Sequence, residues 1–494
     1  MDIEKNFDTA LRYHQKGDLD NAETLYKKIL ELEPNHSRTN FFFGTLFIQK
    51  KDYFSAKKKF IKVVSINPNN FYAYNYLGII HKELKIFEEA KRYFDKAISL
   101  NQDYAEAYYN LGLLFKDVED YKNAKKYYQK TILINPNHIN VYNNLGNMCN
   151  ILGETKNAIK YFNKAIEINP ENAQAYNNLG NRFKESGEYK KSIEAYSKAI
   201  QINPNLHQVY ENLGNIFRIK KNFKKAIEYF EKSKSENSKA QLLECIYFLY
   251  GLKNYKEKLE TYAKKDFLNR RIGTISSYVS ATTSLKNIFP FCKNPIEYFY
   301  KTNIGNDLIN KKKIQKNLLS YLENLDLVWE PSSKTTTKGY RTTGNLFEGN
   351  NIKFKKLIEL IKKALTCYRQ KFSNSDDLII KKWPKKSTLK AWYVKLIQQG
   401  YQTSHIHPEG WISGVFYLKV PKFINGQDGA IMLTLDGYDY PANKKLPNLI
   451  HSPKDFDLVL FPSSLFHRTI PLKSKETRHV IAFDLVPLKD KTNF

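Results

Sequence analysis

Residues 175–205 read AYNNLGNRFKESGEYKKSIEAYSKAIQINPN. The stretch predicts a helical hairpin. Gly180 and the small residues let two helices approach closely, and Pro204 ends the second one. The same unit returns along the chain with a strict period of 34. Glycines stand at Gly44, Gly78, Gly112, Gly146, Gly180 and Gly214. Prolines follow at Pro34, Pro68, Pro136, Pro170 and Pro204, with Gln102 in the one missing slot. Small residues keep the period at Ala22, Ala56, Ala90, Ala124, Ala158, Ser192 and Ala226. One hairpin cannot bury its apolar face alone, so the units must stack.

Six full units and one N-terminal unit without the first glycine span residues 3–240. They resemble the tetratricopeptide repeat. The resemblance implies an all-α superhelix whose concave groove takes a protein or peptide partner. Asn110, Asn144, Asn178 and Asn212 recur in the first helix of successive units and are the candidate groove residues. Similar repeats in O-linked N-acetylglucosamine transferase hold peptide backbones with an asparagine ladder, a task that suits an amide's paired donor and acceptor. The same asparagines are also common repeat consensus in an Asn-rich chain. Both readings stand at this stage, with the asparagines expected to face solvent in the free protein.

The period fails near residue 233, and 241–288 reads as a helical cap and connector. From there to about 380 short helices alternate with loops, 331–347 (PSSKTTTKGYRTTGNLF) being a loop or irregular edge. After Leu389 the chain changes to short β-type runs: LKAWYVKLI, YQTSHIH, WISGVFYLKV, AIMLTL, FDLVLFP and RHVIAFDLV. Runs of this kind suit a sandwich or jelly roll.

His405 and His407 lie two apart in a strand-like run, so both imidazoles face one side. His467 follows 62 residues after His405, and Arg478 opens the last run. Plain alternatives are a surface histidine pair, a satisfied core histidine and a strand-edge ion pair. His451 reads as a loop residue, and His479 faces away from Arg478 by strand alternation.

The segments HIHPEGWISGVFYLKVP, FPSSLFHRTIP and RHVIAFDLV resemble the iron- and 2-oxoglutarate-dependent oxygenases, near their prolyl-hydroxylase-like branch. FPFCKNP and GYRTTGNLF resemble segments of such oxygenases fused to tetratricopeptide repeats. The resemblance implies a double-stranded β-helix with supporting helices over 289–494. It also implies Fe(II) as the metal and 2-oxoglutarate as co-substrate. His405 and His467 fill the two histidine slots of the family's ligand set, while His407 stands where the family has Asp. Glu409 is the one nearby carboxylate able to substitute. Arg478 matches the residue that grips the distal carboxylate of 2-oxoglutarate through a guanidinium fork, and Tyr417 adds a phenolic hydrogen bond. Two other classes remain: an interaction scaffold with a degenerate jelly roll, and a cupin-type metalloenzyme.

Composition narrows the rest. With 494 residues, 42% hydrophobic and 14% aromatic, the chain can build two or more cores. The formal charge of +29 is mostly lysine spread evenly, so it marks no nucleic-acid patch. No secretory signal or membrane span is expected. Cys149, Cys245, Cys292 and Cys367 read as reduced thiols in a cytoplasmic protein.

Overall fold

The computed structural model describes residues 2–325, 327–330, 335–342, 344–348, 352–421, 427–437, 440–441, 443 and 446–488. The chain divides into two compact units, Met1–Pro170 and Glu171–Phe494. Within the first, ten helices from Ile3–Gln15 to Thr155–Ile168 form five hairpins. The second begins with two more hairpins, Ala173–Glu185 with Tyr189–Ile202 and His207–Ile219 with Phe223–Lys232. Among the described residues no helix is long and apolar enough to cross a membrane.

The periodic glycines act as expected. A Cβ on Gly180 would stand 2.6 Å from the Tyr196 ring, and one on Gly146 would stand 2.3 Å from Phe162. An aromatic residue of the second helix thus rests on bare backbone of the first, and any side chain there would force them apart. Ser192 keeps the small-residue slot because its hydroxyl donates to the Gly180 carbonyl at 2.7 Å. The turn between the two helices needs a left-handed residue. Gly17, Gly153 and Gly187 supply it in three hairpins, whereas Lys51, Lys85, Glu119 and Lys221 adopt positive φ in the others.

Three helices follow the last repeat: Glu236–Tyr250, Leu252–Lys265 and Arg270–Thr282. They do more than cap. Leu243, Leu259 and Ile275 belong to one hydrophobic cluster with Ile361 and Tyr368 of helix Lys355–Lys371 and with strand residues Phe416, Leu460 and Ile481.

The strands are β1 (Tyr300–Asn303), β2 (Leu327–Trp329), β3 (Thr336–Thr342), β4 (Ser387–Gln402), β5 (Ile412–Lys419), β6 (Ile431–Thr434), β7 (Asn448–His451), β8 (Asp457–Pro462), β9 (Phe466–Thr469) and β10 (Arg478–Pro487). They form a seven-stranded antiparallel sheet, β1-β8-β5-β10-β4-β3-β2, and a three-stranded one, β7-β6-β9. This is the antiparallel sheet domain expected of a jelly roll. Two expectations need correction. Part of the stretch read as a loop or irregular edge, Thr336–Thr342, is strand β3, next to the edge strand and with a register shift between Thr337 and Gly339, where β-branched Thr and Tyr340 suit a pleated surface; residues 331–334 and 343 lie outside the described residues. His451 ends β7 and is buried, its Nε2 3.3 Å from Asp457.

Candidate metal centre

His405 and His407 do not lie within a strand. Strand β4 stops at Gln402, where the chain leaves the large sheet. His405 then forms a single antiparallel bridge with His467 of β9. Each backbone N–H of that pair donates to the other's carbonyl, at 3.1 and 3.0 Å. The His407 N–H donates to the Ser463 carbonyl at 3.0 Å. Gly410 permits the turn that follows, since a Cβ there would meet Ser463 Oγ at 2.5 Å. Sequence reasoning placed the two histidines on one face; a bridge and a turn bring them there instead.

The three rings converge. Their centroids are 4.2 Å apart for His405–His467 and 5.0 Å for each of the other two pairs. One ligand nitrogen from each lies within 4.8 Å of the others. His405 Nδ1 sits 2.7 Å from the Thr403 carbonyl and His467 Nδ1 3.2 Å from the Leu465 carbonyl. A carbonyl only accepts, so Nδ1 carries the proton and Nε2 keeps its lone pair. His407 Nδ1 lies 2.7 Å from the Asp484 carboxylate, which likewise sets it as donor. Ser413 Oγ lies 2.7 Å from the same Asp484 oxygen. Burial, and then the nearby His407, push His405 down to about 3; burial holds His467 well below its usual range. Neutral imidazoles with anchored Nδ1 atoms are what a divalent metal requires.

The carboxylate of this site is Asp484, not Glu409. Glu409 is largely exposed, with its carboxylate 3.9 Å from Lys390. Asp484 is six residues after Arg478 on the same strand, so alternation puts both on one face. That alternation is legible in the run RHVIAFDLV itself.

Arg478 pairs in register with Leu396 of β4, and the pleat turns it toward the histidines. It helps line the same narrow pocket as His405, His407 and His467, whose cavity volume is about 20 Å³. Arg478 is 2% exposed, and its guanidinium lies 5.0 Å over the Tyr417 ring. No carboxylate faces it among the described residues: its Nε and Nη1 make no well-aligned hydrogen bond, and its polar neighbour is the Tyr417 hydroxyl. A buried, unpaired cation is strongly unfavourable, and a bound carboxylate would relieve it. His479 points elsewhere, as alternation requires: its Nδ1 is 2.6 Å from the Tyr393 hydroxyl.

Helix Arg270–Thr282 holds both ligand-bearing loops. Arg270 donates to the carbonyls of Pro408 and Glu409, at 2.7 and 3.0 Å, just beyond His407. One helical turn on, the Thr274 hydroxyl donates to the Ser464 carbonyl at 2.6 Å, just before His467. Nothing in the period-breaking sequence around 270 pointed to this role.

Two of the four groove asparagines differ from expectation. Asn110 and Asn212 are buried. Asn110 Nδ2 donates to Asn75 Oδ1 of the preceding repeat at 2.9 Å, and Asn212 Nδ2 donates to Asn181 Oδ1 at 3.1 Å. Asn144 and Asn178 are partly exposed. Asn144 Nδ2 lies 3.5 Å from the Tyr109 hydroxyl, and Asn178 Oδ1 accepts from Gln174 at 3.0 Å. Stacked repeats bring such amides together, and burial follows.

Comparison with known proteins agrees with this architecture. The family model described as "Putative 2OG-Fe(II) oxygenase" matches residues 390–484. Tetratricopeptide-repeat models match within 10–36 and from 71 through 246. The chain is therefore a tetratricopeptide-repeat protein that carries a domain of this 2OG-Fe(II) oxygenase family. No curated protein matches it. Similar solved structures include MamA, 32% identical, aligned over 33% of this chain and 96% of that one, TM-score 0.31. PilF of Pseudomonas aeruginosa is 21% identical over 42% and 95%, TM-score 0.38. YrrB, "a TPR protein with an unusual peptide-binding site", is 22% identical over 38% and 96%, TM-score 0.32.

Proposed function

We propose that this protein is an Fe(II)- and 2-oxoglutarate-dependent oxygenase that hydroxylates a protein or peptide recruited by its repeats. The reading divides the chain into repeats at 3–240, a cap and connector at 241–288 and the oxygenase domain at 289–494. It also places the protein in the cytoplasm, in keeping with its four free thiols.

One observation supports the proposal: three imidazoles with anchored Nδ1 atoms share a pocket with a buried arginine that has no carboxylate partner among the described residues. The residues fit the metal, since imidazole suits iron as well as Zn, Cu and Ni. Asp484 stands behind His407 and returns to the site part of the negative charge that the missing ligand Asp would give. When bound, Fe(II) with 2-oxoglutarate and dioxygen supplies the oxidising power for a C–H hydroxylation. His405, His407 and His467 hold the metal. Arg478 grips the distal carboxylate of the co-substrate, with the Tyr417 hydroxyl as a second donor. Pocket walls such as Val415, Ile431 and Phe461 limit water at the reacting centre.

The unpaired arginine favours this reading over the two alternatives. A cupin-type site has no use for a buried guanidinium, and a domain without a ligand would keep an unfavourable charge for nothing. The test is anaerobic titration with Fe(II) and then 2-oxoglutarate, following the visible charge-transfer absorption of the chelate. A band that saturates at one equivalent is expected. Metal binding without the band would reject the co-substrate assignment.

A further inference from the structure

Glu244, in the cap helix Glu236–Tyr250, is fully buried. Its Oε1 accepts from the Tyr440 hydroxyl at 2.8 Å and lies 3.5 Å from Arg271 Nε. Its Oε2 lies 3.9 Å from Arg218 Nη1. The four residues come from four places. Arg218 belongs to the first helix of the last repeat, His207–Ile219, and Arg271 to helix Arg270–Thr282. Tyr440 stands in the segment after β6. One carboxylate thus joins the last repeat to the elements around the histidines.

Both of those elements reach the ligands. Arg271 follows Arg270, which holds the Pro408 and Glu409 carbonyls, and Thr274 on the same helix holds that of Ser464. The Tyr440 ring stands edge-on to Phe466, the residue before His467, with centroids 5.6 Å apart. The Tyr440 N–H donates to the Gly437 carbonyl at 2.9 Å, and a Cβ on Gly437 would collide with the Phe466 ring. Tyr278 ties the helix to this segment. Its ring centroid lies 4.6 Å from that of Tyr440, and its hydroxyl donates to the Pro441 carbonyl at 3.2 Å.

Taking a carboxylate and two guanidinium groups out of water is costly, and apolar residues of similar volume often hold as well or better. The surroundings are already apolar, with Leu243, Tyr255 and Ile275 in one cluster. What charge adds is direction: a shared carboxylate holds its partners in one register, whereas apolar surfaces can slide. We propose that Glu244 is a positioning residue of the metal centre. It locks the last repeat, helix Arg270–Thr282 and Tyr440 into the arrangement that brings His405, His407 and His467 together. The last repeat then serves the centre as well as any partner of the array. This inference rests on the metal reading of the three histidines.

Co(II) titration of the full chain, read by visible d–d absorption and paired with denaturant unfolding, separates position from stability. Glu244→Gln keeps the shape and the acceptor for Tyr440 but removes the charge. It should weaken Co(II) binding at least about tenfold, about 1.4 kcal/mol, and change the band intensities. Tyr440→Phe keeps the ring on Phe466 and loses only the hydroxyl; it should weaken binding about threefold and remains informative if Glu244→Gln folds poorly. Glu244→Leu combined with Arg218→Met and Arg271→Met makes the joint free of charge. That variant should be at least as stable as wild type and still bind Co(II) about tenfold more weakly. Gly44→Ala, a destabilising change in the first compact unit, should leave Co(II) affinity unchanged. Wild-type affinity and spectrum in the charge-free variant would overturn the proposal, and so would wild-type affinity in Tyr440→Phe. A Glu244→Gln loss no larger than that of Gly44→Ala would overturn it too. Wild type that binds no Co(II) would reject the metal reading and the role with it, whereas variants that match a binding wild type reject the role alone.

Discussion

Asn110 and Arg478 are both buried polar side chains, one in the repeats and one in the sheet domain, and they are treated in opposite ways. Asn110 gives its amide N–H to Asn75 of the preceding repeat at 2.9 Å. Arg478, a full charge, has no carboxylate partner among the described residues. Some neutral groups in the repeats are also left open, the Tyr128 hydroxyl among them, but a hydroxyl is far cheaper to bury than a guanidinium. The difference separates two uses of polarity. In the repeats, buried amides fix how one hairpin stacks on the next. In the sheet domain, a buried charge without a carboxylate partner among the described residues lies beside three imidazoles.

The comparison can be broken or sharpened at several points. The largest effect is expected in acid. Burial pushes His479 down to about 4, with Lys395 and Lys419 adding to the shift and Glu323 opposing it. Its pKa is thus depressed on folding from the ordinary 6.5, so the unfolded chain binds the proton first. Its contribution is present above about pH 6.5 and is lost as the pH falls toward 4, a change of about 3 kcal/mol. Denaturant unfolding of wild type and His479→Gln at pH 7 and pH 4.5 checks this; the variant should show a clearly smaller acid loss.

Next come the repeats. Gly146→Val places a branched side chain against Phe162 and should lower stability by about 2 kcal/mol, read from denaturant midpoints. Asp484→Ala removes the acceptor behind His407 and should weaken Co(II) or Fe(II) binding about 10–100-fold by titration, with Asp484→Asn recovering part of it. Smallest is Asn110→Ala. It strands the Asn75 carbonyl oxygen and should destabilise the fold by about 1 kcal/mol, measured by thermal melting. An Asn110→Ala protein as stable as wild type would return that residue to the role of a groove amide awaiting a peptide.

How much of this was legible beforehand follows from the kind of signal each feature leaves. The repeats were readable because each hairpin repeats one steric constraint, a glycine under an aromatic ring, every 34 residues. The three histidines and Arg478 were readable because they stand in strings that resemble a known family. The path by which His405 and His407 converge was not, because a single bridge between sheets has no periodicity. Strand β3 was hidden by its Thr- and Gly-rich composition, which reads equally well as a loop. The grip of Arg270 and Thr274 on Glu409 and Ser464 joins residues 139 and 190 positions apart, a separation that no local pattern encodes.

The central claim is that the unpaired Arg478 waits for the carboxylate of 2-oxoglutarate. Thermal melting of metal-loaded wild type and Arg478→Met, each with and without 2-oxoglutarate, tests it directly. Replacing a buried unpaired charge with an apolar side chain of similar length should raise the variant's own stability, by about 1 kcal/mol or more. The same change should abolish stabilisation by 2-oxoglutarate, which in the wild type should raise the melting temperature with concentration. A variant that is less stable than wild type and is still stabilised by 2-oxoglutarate would contradict the account.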